Sequence, residues 1–170
     1  MATDTTPSQG ILSPERADER AQIIAMLQKA YWMEIETVMS YITNSTNPDG
    51  VRAQEIIESL KQDIQEELGH ARQFGERIKE LYGTVPGSLD FEAEQSYLQP
   101  PDQQTDIVHV IKGVIEAETG AIEHYNDIIE FCDDKDLVTQ DMVIAILRDE
   151  EGHRRLFEGY LREYEAEGLA

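Results

Sequence analysis

The sequence has almost no cysteine. Cys132 is the only one, which excludes an intrachain disulfide and a multi-thiolate metal cluster. Basic residues are scarce as well: 14 Lys and Arg stand against 35 Asp and Glu, for a net charge of -21. That shortage excludes the basic footprint nucleic acid requires and the polybasic patch that anionic membranes attract. No run approaches the roughly 18 apolar residues of a membrane span. The opening MATDTTPSQG has neither the charged start nor the apolar stretch of a signal peptide; with the lone cysteine, this predicts a cytoplasmic protein. No segment reads as a strand. The acid that remains suits a cationic partner, metal ions included, or simply a solvated surface.

What is there reads as helices. Residues 1–12 are polar and rich in Thr, Ser and Pro, which predicts a flexible tail; residues 13–170 fit one domain with a sizeable core. Ser13-Pro14 has the form of an N-cap followed by proline. A helical pattern runs from about Pro14 to Thr43 and stops at NSTNPDG. A second runs from about Val51 to Tyr82 and ends at Gly83, a third from Thr105 to Cys132, and a fourth from Leu137 or Thr139 to Glu167. The Gly- and Pro-rich GTVPGSLDFEAEQSYLQPPDQQ lies between the second and third, with room for a short helix at LDFEAEQSYL. The prediction is an all-α four-helix bundle with two short links and one long crossover between the second and third helices.

Acids stand where core residues belong. In the second helix Ile57, Leu60, Ile64, Glu67, Ala71, Phe74, Ile78 and Leu81 recur at three- and four-residue steps, the spacing of one helix face. Val143, Leu147, Glu150, Phe157 and Leu161 do the same in the fourth, Leu27, Tyr31, Glu34, Val38 and Tyr41 in the first, and Ile111, Val114, Glu118, Ile122, Tyr125 and Ile129 in the third. His70 and His153 each follow a seam Glu by three residues, on the same side of the helix. The halves match: Glu67 follows Glu34 by 33 residues and Glu150 follows Glu118 by 32, and Tyr41 and Tyr125 each lie seven beyond the lone Glu.

Four ionised carboxylates converging in a core repel one another unless strong positive charge joins them. Two divalent metals supply that charge, and oxygen with imidazole suits iron or manganese, with zinc also compatible. The alternative is buried acids held by Arg, Tyr or water. Glu36, Glu116, Glu123 and Glu151 read as solvated or as a transient iron site on an access route. His109 and His124 read as outer-face residues, and Trp32 and Met39 as packing or interface residues.

This constellation resembles the ferritin-like di-iron carboxylate superfamily, and ILRDEEGH (Ile146 to His153) is especially similar to bacterioferritins. The handful of residues that carry the likeness are one Glu from each of two helices and Glu-x-x-His from each of the other two. The resemblance implies a ferritin-like bundle in which Glu67 and Glu150 bridge two irons, Glu34 and Glu118 are terminal ligands, and His70 and His153 each bind one metal. Tyr41 and Tyr125 would hydrogen-bond ligand carboxylates, or serve as core aromatics. It further implies a ferroxidase that stores or detoxifies iron, with Fe²⁺ and O2 or H2O2 as reactants, in a homo-oligomeric cage of roughly 12 or 24 subunits. Bacterioferritins bind haem through a Met directly after the Glu of the first Glu-x-x-His; Leu68 stands there, so no haem is expected by that route. The rival readings are a peroxide-scavenging di-metal enzyme, like rubrerythrin or manganese catalase, and a non-catalytic metal-stabilised scaffold.

Overall fold

A computed structural model describes residues 10–170. Four long helices form the bundle: α1 (Ala17–Thr46), α2 (Gln54–Glu80), α3 (Ile107–Cys132) and α4 (Leu137–Ala166). There is no strand among the described residues. Residues 1–9 of the expected tail lie outside the described residues. Residues 10–12 depart from that expectation: Gly10–Leu12 is a 3-10 turn, and Ile11 is buried in the core between the helices.

The helix ends follow local chemistry. Pro14–Arg16 forms a 3-10 turn ahead of α1 rather than its first turn. At the other end α1 runs past Thr43 to Thr46, because Ser45 and Thr46 hydroxyls donate back to the Ile42 carbonyl, satisfying an acceptor at the helix end. The third helix is capped by Asp106, not Thr105: its carboxylate accepts the His109 N–H. Asp136 caps α4 through the Thr139 N–H. Tyr82, with φ of 66°, takes the left-handed position after α2, and the Gly83 N–H returns to the Ile78 carbonyl at 2.8 Å. A Cβ on Gly83 would sit 2.9 Å from the Ile78 side chain, so glycine is required by space rather than by φ.

Short links make α1–α2 and α3–α4 antiparallel hairpins. The crossover, residues 84–106, runs along α1 in step with it. Gln28 reaches the Thr84 carbonyl at 3.0 Å, Glu36 accepts the N–H groups of Glu94 and Gln95, Asn44 reaches the Leu98 carbonyl at 2.8 Å, and Asp49 N–H meets Gln104. Glu36 is therefore buried and spent on the crossover, against the reading of a solvated face. LDFEAEQSYL forms no α-helix; 3-10 turns at Ser88–Asp90 and Ser96–Leu98 flank irregular chain. At Gly113 a Cβ would meet the Tyr97 carbonyl at 2.7 Å, so glycine lets the crossover backbone lie directly on α3.

The core is two apolar clusters. One gathers Ile23, Leu27, Phe74, Ile78, Ile128 and Val143; the other gathers Ile56, Leu60, Ile111, Val114 and Phe157. Each fully buried Ile, Leu or Phe contributes about 1.5–3 kcal/mol. The gap along the helices between these clusters is filled by acids and histidines.

Candidate metal centre

Each seam delivers its acid. Glu34, Glu67, Glu118 and Glu150 are 1–3% exposed, and His70 and His153 are also buried. Their ligand atoms fall into two groups, each with all atoms within 4.8 Å: Glu34, Glu67, His70 and Glu150 in one, and Glu67, Glu118, Glu150 and His153 in the other. Glu67 and Glu150 belong to both. The geometry thus places two carboxylates between two four-residue pockets, each completed by a lone Glu and a His.

The tyrosines cross over. Tyr41 of the first hairpin donates to Glu118 of the second, and Tyr125 of the second donates to Glu34 of the first. Each hairpin therefore orients the other's lone carboxylate. Tyr125 also packs on Phe74, with ring centroids 5.4 Å apart, which anchors it in the apolar cluster.

His70 Nδ1 lies 3.2 Å from Glu67 and 3.0 Å from Glu150; His153 Nδ1 lies 3.3 Å from Glu67 and 3.4 Å from Glu150. Donors bound at about 2.1 Å to one ion and at right angles to each other sit about 3 Å apart. Glu67 Oε1, Glu150 Oε1 and His153 Nδ1 are buried and have no hydrogen-bond partner. Such orphaned groups cost about 1–3 kcal/mol each, and a shared cation removes that cost. The donor set fits a pair of divalent ions.

Electrostatics agree. Burial, then the charges of Glu67 and Glu150, push Glu34 well above the usual carboxylate range; burial with the same two neighbours does so for Glu118. Burial acts to raise Glu150 also, but His153 and His70 hold it down to about 2. Against the lowering that burial imposes, Glu150 and Glu67 lift His70 to about 10 and His153 to about 12. Protons on the lone glutamates and on the imidazoles balance the charge of this cluster; two divalent cations balance it equally, with those protons released.

The outer nitrogens of the two histidines carry acids the sequence reading did not pick out. His70 Nε2 faces Asp149 at 3.4 Å. His153 Nε2 meets Glu66 at 3.0 Å and Asp63 at 3.8 Å. A carboxylate on the outer nitrogen fixes the ring and leaves Nδ1 for the interior. The signal was present in the spacing: Asp63 precedes Glu67 by four, and the buried row of α2 is Ile56, Leu60, Asp63, Glu67, Ala71, Phe74 and Ile78. Ile57 and Ile64, assigned to that row, are only half-buried. Burial pushes Asp63 up to about 7. His124 corrects its reading too: it is 8% exposed, and its Nε2 meets the Met26 carbonyl at 2.9 Å. His109 is exposed as expected. Open space lies beside Gly69 and Gly152, and nothing in the structure explains either.

Comparison with known proteins bears on the family and the fold. The family described as Ferritin-like domain matches residues 24–166. The bacterioferritin of Desulfovibrio desulfuricans is 26% identical over 148 residues, covering 86% of this chain and 78% of its own length. The DNA protection during starvation protein of Pyrococcus furiosus is 29% identical over 145 residues, covering 82% of this chain and 77% of its own. The crystal structure of the Desulfovibrio bacterioferritin, described with a diiron site in different catalytic states, superposes with a TM-score of 0.76 at 24% identity, over 91% of this chain and 86% of that one. A dodecameric thioferritin from Bacteroides fragilis gives a TM-score of 0.75 at 21% identity, over 92% of this chain and 97% of that one. No helix among the described residues is long and apolar enough to cross a membrane. By its bundle, its long crossover and the family match over most of its length, the chain belongs to the ferritin-like domain family.

Proposed function

We propose that this protein is a ferroxidase that takes up Fe²⁺ for storage or detoxification. The observation that carries the reading is the pair of overlapping ligand groups sharing Glu67 and Glu150. Glu34 and His70 would complete one iron position, Glu118 and His153 the other, with Glu67 and Glu150 bridging. Two ferrous ions give up one electron each, and either O2 is reduced to peroxide or peroxide to water, with two protons taken up.

The chain's own residues supply the rest. Tyr41 and Tyr125 keep Glu118 and Glu34 turned inward through their hydrogen bonds. Asp63, Glu66 and Asp149 hold the imidazoles by their outer nitrogens. The net charge of -21 concentrates Fe²⁺ around the molecule and argues against direct binding of nucleic acid. A dodecameric relative and a bacterioferritin relative support assembly of this chain into a closed homo-oligomer. Leu68, which follows Glu67, offers no thioether and is half exposed, so haem ligation by that route is not expected.

Anaerobic protein loaded with Fe²⁺ and mixed with O2 or H2O2 tests the reading. Ferric absorbance should develop faster than in buffer, and light scattering on the eluted protein should report a large assembly that retains iron. Rapid peroxide disproportionation by protein purified with manganese would replace this reading with a catalase-like one. Tightly held zinc with no redox turnover would replace it with a scaffold.

A further inference from the structure

One peptide bond combines the conditions for a rearrangement that needs no enzyme. The chain has 11 glycines, and only Gly50 directly follows an aspartate or asparagine. Asp49 and Gly50 lie in the link between α1 and α2, and both are exposed. Exposed tips of small and polar residues are where a folded chain yields most readily.

The fold leaves the reacting atoms uncommitted. The Asp49 carboxylate holds no hydrogen bond or ion pair among the described residues; Arg52, the nearest basic residue in sequence, is turned to Glu167 instead. The Asp49 N–H donates to the Gln104 carbonyl at 2.9 Å and the Gly50 carbonyl accepts from Ala53 at 3.2 Å, but the Gly50 N–H donates to no backbone carbonyl. Gly50 has φ of 103°, and nothing lies within 4 Å of where its Cβ would be, so the link can turn without clashing. The asparagines lack this freedom. Asn47 precedes Pro48, which has no N–H. Asn44 and Asn126 lie inside α1 and α3, where the following N–H is held by the helix.

We propose that Asp49 isomerises to isoaspartate in the folded protein. The Gly50 nitrogen attacks Cγ of the protonated Asp49 carboxyl. The N–Cγ bond forms, the Cγ–OH bond breaks, and the hydroxyl leaves with the nitrogen's proton as water, closing a five-membered succinimide. Water then adds to either ring carbonyl. Opening at Cγ restores aspartate. Opening at the main-chain carbonyl carbon leaves the backbone running through Cβ and Cγ, with the α-carboxylate as the side group. The water lost in the first step returns in the second, and no oxidant, reductant or cofactor takes part.

The product differs in two ways. One added carbon lengthens the path by about 1.5 Å between the Asp49 N–H, which pins the end of the crossover at Gln104, and the start of α2. The exposed α-carboxylate also gives a carboxyl methyltransferase specific for isoaspartate a group to recognise, which names the class of partner. The site is separate from the proposed iron centre and does not depend on it.

Full-length protein held at neutral pH and physiological temperature for weeks, then digested, tests the proposal. The peptide containing residue 49 should split into two chromatographic peaks of identical mass. Recombinant isoaspartyl methyltransferase with a labelled methyl donor should label only the new peak. The rate should match that of a synthetic peptide of residues 44–55, because the fold engages neither reacting atom. D49E should abolish the new peak, since a six-membered ring closes far more slowly. D49N should form it faster, since the amide leaves as ammonia. Glu150→Gln should isomerise as the wild type does. A single unlabelled peak, a rate far below the peptide's, a new peak retained in D49E, or no acceleration in D49N would overturn the proposal.

Discussion

The two hairpins carry the same ligands but not the same surroundings. Each presents a lone Glu, a Tyr and a Glu-x-x-His, and each Tyr grips the lone Glu of the other hairpin. The histidines then diverge. His70 Nε2 faces only Asp149, whose side chain is 49% exposed. His153 Nε2 faces Glu66, 41% exposed, together with Asp63, 5% exposed. A buried charge is screened far less than an exposed one. Repetition of a ligand pattern therefore does not make two equal sites, and the His153 side should hold a divalent cation more tightly.

The sharpest way to break the comparison is to remove what both sides share. Glu150→Gln or Glu67→Gln should cost both positions at once, lowering Fe²⁺ oxidation at least about 100-fold. Two Co²⁺ bound per wild-type chain should fall toward none, read by absorption titration. A variant that keeps one full-affinity Co²⁺ would contradict the bridging assignment.

The hairpin ends differ as well, and this is testable by stability. Asp136, in the α3–α4 link, accepts both Arg77 Nη2 contacts, at 2.8 and 3.0 Å, and the Thr139 hydroxyl. This ties the second hairpin to the end of α2. Burial alone would raise Asp136, but Thr139 and Arg77 hold it below its ordinary value. Because the unfolded chain binds the proton more readily, this contribution is present above pH 3.8 and is lost as pH falls through the depressed value. Asp136→Asn should cost about 3 kcal/mol at pH 7 and flatten the acid limb of Tm against pH, measured by calorimetry.

Asp63→Asn and Asp149→Asn test the inequality directly. The first should weaken the tighter Co²⁺ site about tenfold; the second should weaken the His70 site by less than about threefold, because Asp149 itself is half exposed. Equal effects would erase the distinction between the sides. Asp63→Asn should also raise Tm at pH 8. Its carboxyl is pushed up to about 7 from 3.8, so the folded state binds the proton more tightly and stability falls as pH rises between those values.

The smallest effects test the symmetry that remains. Tyr41→Phe and Tyr125→Phe each remove one hydroxyl donor from a lone Glu. Each should slow Fe²⁺ oxidation by about threefold to tenfold, and by similar amounts, in stopped-flow absorbance. A large difference between them would show that the crossed hydrogen bonds are not equivalent.

Much of this was legible in one dimension. A row of Leu, Phe and Ile broken by Glu67 or Glu150 announces a buried acid, because helical spacing leaves that side chain nowhere else to go. Glu-x-x-His twice, with matched separations, announced the pairing of hairpins. Asp63 was harder to see. It sits beside Ile64, and an apolar neighbour competes for the same row; only packing against His153 selects Asp63. Glu36 looked like one more surface acid until the backbone N–H groups of Glu94 and Gln95 were laid against it.

Local pattern by itself determined the four helices, their inward glutamates and the histidines one turn beyond, since periodicity of three and four decides a helix face without any partner. Tertiary structure alone decided which acids are shared, which Tyr meets which Glu and where the crossover lies. Those are contacts between residues 58 to 91 positions apart, and no local spacing encodes them: they exist only once two hairpins have closed on each other and excluded water from the carboxylates between them.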